Sequence, residues 1–304
     1  MAWTPDGSGI VYLTTKDSVQ GTVLRQLQLN GSLTTELMTL PEATGPMVDR
    51  TGQICVGTDG RMQRVVSAPG VQPSLVPLPV PSDAQLSPDG RWLAAQNSAI
   101  LWDVQAGQTA TPSMVGFAGW SPESLAAVVG DYPNGAAILS LQSLASAVTL
   151  ESYSISIPRP PIQLVWGANS PVEVAQYDPP VSQWPTSYCV GCVGIYFIDL
   201  SDGSQHPVFD PSAGAVAVMT ESKPTVGFTL AWLTTCQGLF STVCTATLYR
   251  VRVPDGTTTP LAVAAQATVK PYPSAFSCPV AISPDNQRVA IASPRGIYVE
   301  PLFP

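Results

Sequence analysis

The sequence predicts an all-β protein, and three observations support that prediction. Turns containing Ser-Pro-Asp-Gly, or a close variant, recur along the chain between short apolar runs. A second hairpin follows each of them, with period-two alternation and a Gly-containing turn, which is typical of paired antiparallel strands. No segment carries apolar residues at i, i+3, i+4 and i+7 over a dozen positions, as an amphipathic helix would.

The repeated turn occurs in three clear copies and one degraded copy. They are Trp3–Gly7, Ser87–Gly90 and Ser283–Asn286, with Trp120–Ala126 as the degraded copy. Proline presets φ for the first central position of a type I turn, and Asp fits the next position. Gly or Asn then takes the left-handed conformation that returns the chain. We therefore expect each copy to be a tight hairpin joining two strands.

Two hairpins per repeat make a four-stranded antiparallel sheet, which is the blade of a β-propeller. The sequence therefore predicts a single β-propeller domain over residues 1–304, with about seven such blades. The predicted blades are 3–40, 46–80, 83–115, 116–152, 161–209, 214–263 and 273–303. Six blades, with one segment assigned wrongly, is the alternative.

The last blade is predicted to be incomplete. It offers three strands before the sequence ends at Pro304, and the first blade begins at Met1 with no strand before it. One interpretation is a three-stranded last blade or a short tail strand. The other is that a fourth strand comes from residues upstream of Met1, or from a partner chain by strand addition.

The repeated turn followed by an apolar strand resembles the WD-like repeat of TolB-type propellers. Related repeats occur in the propeller domains of prolyl-oligopeptidase-like enzymes. The segment Leu101-Trp102-Asp103 is similar to the Trp-Asp ending of true WD repeats. The resemblance spans nearly the whole chain, and three units match it well. It implies a propeller fold and no particular function, because this scaffold hosts many unrelated roles.

Composition argues against two classes of partner. The net charge of −8 and only three lysines disfavour binding to nucleic acid, whose phosphates require clustered Lys and Arg. No run reaches the roughly 18 apolar residues of a membrane span, so we expect no insertion of this chain into a membrane. The sequence opens directly on a repeat, without a secretory signal. We expect a leader or upstream region outside this numbering and an extracytoplasmic location, in the periplasm or at the cell surface.

Four of the six cysteines fall into two local pairs, Cys189 with Cys192 and Cys236 with Cys244. Both pairs are predicted to lie in long insertions between the second and third strands of blades five and six. Two local disulfides are the first interpretation and imply an oxidising compartment. A four-cysteine zinc site and free thiols are the alternatives, although the second pair is spaced more widely than zinc ribbons require. Cys55 and Cys278 are expected to be buried, inert thiols within strands.

The insertion of blade five also contains aromatic residues, namely Tyr177, Trp184 and Tyr188. Trp and Tyr in a proline-rich loop lose little entropy on binding and dominate many protein interfaces. We therefore consider these three residues to be candidates for partner contact. The alternative is that Trp184 packs into the loop as its own small core.

Catalytic signatures are absent from the sequence. His206 is the only histidine, no Gly-x-Ser-x-Gly motif is present, and no Gly-rich phosphate loop follows a strand. We assign no catalytic residue, no metal ligand and no cofactor. The leading hypothesis is a non-enzymatic propeller that acts as an interaction or scaffold subunit of an extracytoplasmic assembly. The alternative is a ligand-binding or carbohydrate-active propeller using carboxylates of its central funnel, for which Asp49, Asp178 and Glu221 are scattered candidates.

Overall fold

A computed structural model of the chain describes 19 segments of the sequence. They are residues 1–15, 21–68, 70–87, 89–95, 101–110, 117–120, 126–131, 137–143, 148–155, 163–166, 172–177, 194–199, 204–209, 215–223, 228–236, 243–252, 256–268, 279–293 and 296–303. Within these segments every regular element is a β-strand, which confirms the all-β prediction. In the same segments no helix is long and apolar enough to cross a membrane.

The described strands form seven antiparallel sheets, six of four strands and one of three. We call them blades 1 to 7 in chain order. The strands of blades 1 to 3 are β1 Ala2–Trp3, β2 Gly9–Thr15, β3 Thr22–Gln28, β4 Leu33–Leu40, β5 Ala43–Val48, β6 Ile54–Thr58, β7 Arg61–Ala68, β8 Val71–Pro81, β9 Gln85–Leu86, β10 Trp92–Ala94, β11 Leu101–Asp103 and β12 Gln108–Ala110. In each of these blades, strands that are consecutive in sequence are neighbours in the sheet.

Blades 4 to 7 follow the same order, and within the described residues blade 7 has three strands. Their strands are β13 Phe117–Trp120, β14 Ala126–Asp131, β15 Ala137–Ser143, β16 Val148–Ile155, β17 Gln163–Trp166, β18 Val172–Tyr177, β19 Gly194–Asp199, β20 Gln205–Phe209, β21 Ala215–Lys223, β22 Phe228–Cys236, β23 Val243–Arg252, β24 Thr258–Thr268, β25 Val280–Ile282, β26 Arg288–Ser293 and β27 Gly296–Pro301. The described residues thus show seven antiparallel sheets, as predicted, with three described strands in the last one.

The first strand of blade 2 begins earlier than predicted. β5 starts at Ala43 rather than at residue 46, and Gly45 and Pro46 lie inside it. The strand accommodates them through a shift in pairing register between Thr44 and Met47. A β-bulge of this kind absorbs residues that the sequence pattern marks as a turn.

The chain divides into two compact units. Unit 1 holds residues 1–114 and 279–304, and therefore blades 1, 2, 3 and 7. Apolar clusters fill the spaces between its sheets: one around Val11 and Leu24, a second around Met62 and Leu93, and a third around Trp3. Unit 2 holds residues 115–278 with blades 4 to 6, and its described core includes Ile195, Phe209, Ala231 and Val251.

The three clear repeat turns have the geometry that the sequence predicts. The residue before proline accepts a hydrogen bond from the residue three positions later in all three turns, with N···O distances of 2.8–2.9 Å. Gly7, Gly90 and Asn286 have φ values of 69°, 74° and 58°, in the left-handed region. Gly and Asn tolerate this region better than other residues, which explains their position at the end of the motif.

A network of side-chain hydrogen bonds closes each of these turns. The Thr4 hydroxyl donates to Asp6 at 2.7 Å, and the Ser87 hydroxyl donates to Asp89 at 2.5 Å. The Ser283 hydroxyl donates to Asp285 in the same way. Each hydroxyl also accepts the backbone N–H five residues later, at 2.9 Å. The alternation of Ser or Thr, Pro and Asp is therefore a local hydrogen-bonding device that shapes the hairpin.

Candidate interaction edge

The outer strands of the four-stranded blades pair less regularly than the third strands do. Five of the six, namely β4, β8, β16, β20 and β24, have a register shift against their inner neighbour. The sixth, β12, is three residues long. β8 also contains Pro73, Pro77 and Pro79, which have no backbone N–H. Bulges, short strands and prolines are the usual means of preventing an edge strand from pairing with another chain.

β27 is the outer strand of blade 7 among the described residues; it has no register shift, and its proline is at its end. It pairs with β26 over six residues without a register shift, from Ser293 opposite Gly296 to Arg288 opposite Pro301. Its only proline, Pro301, is its last residue. Third strands in the other blades pair with their second strands equally regularly. β27 therefore pairs with β26 as regularly as a third strand does, although it lies at the outer edge of its described sheet.

The hydrogen bonds around β26 identify the free backbone groups of β27. Leu302 donates its N–H to the carbonyl of Gln287 at 2.8 Å. Because backbone groups alternate in direction along a strand, those of Tyr298 and Glu300 also point toward β26. Those of Ile297 and Val299 point away from it, and no described strand lies beside them. Ile297 and Val299 thus offer two N–H donors and two carbonyl acceptors on this side of the strand.

The side chains of β27 alternate between two environments. Ile297 and Val299 are half-buried and pack against the cluster of Trp3, Ile10, Ala281 and Ala290. Tyr298 lies on the other face and is 47% exposed. An added strand with alternating apolar side chains would extend the half-buried face and remove more apolar surface from water.

Side-chain contacts within unit 1 hold blade 7 against blade 1. Leu302, directly after β27, is fully buried. At the opposite side of the blade, the Trp3 indole Nε1 donates to the carbonyl of Ala281 in β25 at 2.8 Å. The Arg288 guanidinium lies 4.9 Å from the centre of the Trp3 ring and donates to the carbonyl of Gly7 at 3.3 Å. The edge of β27 is therefore carried by a sheet that is fixed to blade 1.

Asp6 and Asp285 of the repeat turns and Asp103 of blade 3 accept hydrogen bonds within their own turns. Hydrogen bonds from the Thr4 hydroxyl and from Ser8 lower the pKa of Asp6 to about 2. The Ser283 hydroxyl and the Gln287 N–H likewise lower the pKa of Asp285. Burial raises the pKa of Asp103, but hydrogen bonds from the Ala106 N–H and from Arg91 outweigh it, and the net shift is downward. Groups that stay ionised are poor general acids at neutral pH.

Asp49, one of the scattered carboxylate candidates, also closes a turn. It accepts hydrogen bonds from the Thr51 N–H at 2.8 Å, the Thr51 hydroxyl at 2.7 Å and the Gln53 N–H at 2.9 Å. Asp178 lies outside the described residues, and Glu221 belongs to β21. Within the described residues no three His, Cys, Asp or Glu side chains are grouped as metal ligands would be.

A polar cleft of about 380 Å³ lies in unit 1 beside the turns of blades 1 and 2. Its walls include Thr4, Asp6, Gln26, Arg50 and Thr51. The carboxylate in this wall is Asp6, whose oxygens already accept bonds from Thr4 and Ser8. The described walls of this cleft therefore do not present a pair of free carboxylates for acid and base chemistry.

The structure describes three of the six cysteines, Cys55, Cys236 and Cys244. Cys236 is the last residue of β22, and Cys244 lies in β23 directly opposite it, so both belong to strands rather than to an insertion. Cys189, Cys192 and Cys278 lie outside the described residues. Cys55 is a buried free thiol in β6, as predicted. Burial and the charge of Asp49 raise the pKa of Cys55 to about 11, so the thiol stays protonated and unreactive at neutral pH.

Among the predicted contact residues, only Tyr177 lies in the described chain. It ends β18, opposite Gly194 of β19. Trp184 and Tyr188 lie outside the described residues. His206 lies in β20, the outer strand of blade 5, opposite Phe197. The contact assigned to the aromatic loop therefore stays a prediction.

The ion pair between Arg91 and Asp103 was not predicted from the sequence, although the Trp-Asp ending of the Leu101-Trp102-Asp103 segment points to it. Asp103, at the end of the Leu-Trp-Asp segment, pairs with Arg91 at 2.9 Å and accepts the N–H groups of Gln105 and Ala106. Arg91 also lies over the Trp92 ring, 4.7 Å from its centre. The Trp-Asp ending marks this position, because an Asp just before a turn is a frequent acceptor for the turn's N–H groups.

No protein-family model matches the sequence, and no curated protein matches it. Among solved structures, the hydrazine synthase of Kuenenia stuttgartiensis is similar over 99% of this chain and 94% of its own, with 15% identity and a TM-score of 0.59. A mitotic checkpoint complex chain is similar over 100% of this chain and 86% of its own, with 12% identity and a TM-score of 0.54. A putative TolB from Agrobacterium tumefaciens is similar over 97% of this chain and 100% of its own, with 13% identity and a TM-score of 0.48.

The chain has the β-propeller fold. The repeated four-stranded antiparallel sheets and the likeness to solved propeller structures agree on this, and the TolB-like and WD-like resemblance of the turns implied the same fold. Likeness at 12–15% identity extends to the fold alone. The scaffold occurs both in an enzyme and in a protein complex, so the function of this propeller must be argued from its own residues.

Proposed function

We propose that this chain is a non-enzymatic propeller that binds another protein by accepting an extended strand of that partner beside β27. The observation that supports the proposal is the pairing of β27. It pairs without irregularity, as the third strands do, whereas the fourth strands are bulged or very short. A strand that pairs this regularly can form hydrogen bonds with a second strand on its other side.

The partner strand is expected to alternate apolar and polar residues and to lack proline at its centre. Fourth strands elsewhere in unit 1 contribute buried apolar side chains near their ends, such as Leu40 in β4 and Leu78 and Val80 in β8. No described residue fills that role in blade 7, where Ile297 and Val299 stay half-buried. Backbone hydrogen bonds would supply affinity, and the alternate apolar side chains would supply specificity.

The non-enzymatic part of the proposal rests on the described carboxylates. Glycoside chemistry requires two carboxyl groups near each other, one of them with a raised pKa so that it donates a proton. Asp6, Asp103 and Asp285 have lowered pKa values and are held by turn N–H groups or hydroxyls. These are the properties of structural turn residues. Asp6, Asp103 and Asp285 hold the hairpin turns, and we assign none of them a catalytic role.

We further propose that the partner is met outside the cytoplasm, as one component of a larger assembly. Cysteines that occur in local pairs suit an oxidising compartment. The aromatic residues Tyr177, Trp184 and Tyr188 are proposed as a second contact surface for the same assembly.

Site-specific photo-crosslinking in the native host cells tests the β27 proposal. A photoreactive phenylalanine analogue replaces Tyr298, which is 47% exposed and next to the free backbone groups. We expect one dominant adduct with a different polypeptide, cross-linked through an extended segment and identified by mass spectrometry. Adding Val299→Pro removes an outward N–H and should abolish the adduct, whereas Val299→Ala keeps the N–H and should largely retain it.

Val71 provides the matched control position. It is 64% exposed at the start of β8, an edge that prolines and register shifts protect, and the same analogue there should give no adduct. Three outcomes would contradict the proposal: an adduct only with a second copy of this chain, an adduct only with another segment of the same chain, or no adduct at Tyr298. An adduct that survives Val299→Pro would show that the contact does not use strand addition.

A further inference from the structure

Two cysteines lie at opposite positions of the second and third strands of blade 6. β22 and β23 pair without a register shift from Phe228 opposite Arg252 to Cys236 opposite Cys244. Because this register is continuous over nine residue pairs, it assigns Cys236 and Cys244 to one cross-strand pair.

The hydrogen bonds on the far side of β23 identify the type of this pair. Arg252 donates its N–H to the carbonyl of Thr257, which lies toward β24. Backbone groups alternate in direction along a strand, so those of Cys244, eight residues before Arg252, also point toward β24. They do not bond to β22. Cys236 and Cys244 are therefore a non-hydrogen-bonded pair.

Pro260 in β24 supports the same assignment independently. It lies opposite Tyr249 of β23. Because proline has no N–H, it fits best where the two strands do not exchange hydrogen bonds. The backbone groups of Tyr249 then point toward β22, which again leaves those of Cys244 pointing the other way.

A non-hydrogen-bonded antiparallel pair has the spacing that a disulfide needs. Its Cα atoms are about 4.5 Å apart, and disulfides span Cα distances of about 4.4–6.8 Å. A bond between these two cysteines therefore requires no movement of either strand. Hydrogen-bonded pairs, with Cα atoms about 5.5 Å apart, direct their side chains less closely together.

We propose that Cys236 and Cys244 form an intrachain disulfide that joins β22 to β23. Formation of the S–S bond releases two protons and two electrons from the two thiols. A disulfide oxidant such as oxidised glutathione accepts them and is reduced to two thiols. The bond closes a loop from residue 236 to residue 244, and it makes this end of the hairpin resistant to separation.

The proposal selects one pairing among those that the sequence left open. It assigns a two-cysteine disulfide to blade 6 and does not use Cys189 or Cys192, so a four-cysteine zinc site would contradict it. It is also independent of the β27 contact, because it concerns blade 6 alone.

Thiol counting in single and double variants tests the pairing. The protein is equilibrated with oxidised glutathione, denatured and treated with an alkylating agent, and the alkylated thiols are counted by mass spectrometry. We expect Cys236→Ser to show one more free thiol than the wild type, since Cys244 loses its partner. Cys244→Ser should behave in the same way, and the double variant should return to the wild-type count.

Cys55→Ser is the matched control, because Cys55 is a free thiol and its loss should lower the count by one. If Cys236→Ser also lowers the count by one, the two residues are not bonded. Peptide mapping of the unreduced wild type is the second measurement and does not depend on any variant folding. It should show a peptide pair joined through Cys236 and Cys244, with a mass two hydrogens below the sum. Linkage of either residue to Cys189, Cys192 or glutathione, or thiols that become reactive only after a chelator is added, would overturn the proposal.

Discussion

The indole Nε1 of Trp3 donates a hydrogen bond of 2.8 Å to the backbone carbonyl of Ala281, across 278 positions of sequence. Trp3 belongs to the first strand of blade 1 and Ala281 to the first strand of blade 7. Trp3 is 6% exposed and packs with Ile10, Ala281 and Ala290. The first strands of blades 1 and 7 are therefore joined, and among the described residues no strand pairs with the outer side of blade 7.

Loss of the Trp3 contact should lower the stability of the protein. Trp3→Phe removes the hydrogen bond and part of the ring, and we expect the free energy of unfolding to fall by about 1–3 kcal/mol. Trp3→Ala should cost about 3–5 kcal/mol, because it also leaves a cavity in the cluster. Urea unfolding measures both. Leu33→Ala is the control: Leu33 is 59% exposed, and a change above about 0.5 kcal/mol there would show a general fragility.

The turn carboxylates predict how stability depends on acid. The pKa of Asp6 is about 2 in the folded protein and about 3.9 in an unfolded chain. Between these values the unfolded state binds a proton that the folded state does not, so stability falls as the pH falls. Asp6→Asn should be less stable than the wild type by a constant amount above about pH 5. The difference should shrink as the pH falls from about 4 to 2, as denaturant titrations at several pH values would measure. A difference that is the same at pH 7 and pH 2 would contradict this account.

The left-handed glycine of the second repeat turn should be intolerant of a side chain. Gly90 has a φ of +74°, and a Cβ there would lie 3.2 Å from the Arg50 backbone nitrogen. We expect Gly90→Ala to cost about 1–2 kcal/mol from the backbone conformation alone. Gly31→Ala is the matched control, since no heavy atom lies within 4 Å of its added Cβ. Thermal unfolding of both variants compares them, and equal destabilisation would contradict the prediction.

The ion pair of blade 3 should contribute modestly and depend on salt. Arg91 donates to Asp103 from Nε at 3.1 Å and from Nη2 at 2.9 Å, but the arginine side chain is 51% exposed, which screens the interaction. Asp103→Asn retains an acceptor for the turn and should cost about 1 kcal/mol. Asp103→Ala also leaves the N–H groups of Gln105 and Ala106 without their acceptor and should cost more. The loss in Asp103→Asn should decrease in 0.5 M salt, where the screening length is roughly 4 Å against about 10 Å at 0.1 M. A salt-independent loss would show that packing, not charge, causes it.

Much of the architecture was predictable because it is encoded locally. Each repeat turn combines a hydroxyl, a proline, an aspartate and a residue that tolerates positive φ, and these four positions determine the hairpin between neighbouring strands. The period-two alternation then determines which side chains each strand buries. The early start of β5 was not predicted, since Gly and Pro are more typical of turns, whereas Gly45 and Pro46 lie inside this strand at a register shift.

The candidate site was predictable only in outline. The sequence predicts three strands for the last blade, because strands can be counted from the repeats. It does not indicate that β27 pairs without a shift while β4 and β8 do not, since bulges depend on how each strand fits its neighbour. In the same way, the sequence shows only that Cys236 and Cys244 are eight residues apart, and the strand register shows that they lie opposite each other.

The sequence by itself determined the fold class, the repeat turns and the three strands of the last blade, because each depends on residues close together in the chain. The tertiary structure decided the contact of Trp3 with Ala281, the exposure of the Ile297 and Val299 backbone groups, and the pairing of Cys236 with Cys244. These relationships depend on strand register and on packing between sheets. Both are set by the summed fit of many side chains, which no short sequence pattern specifies.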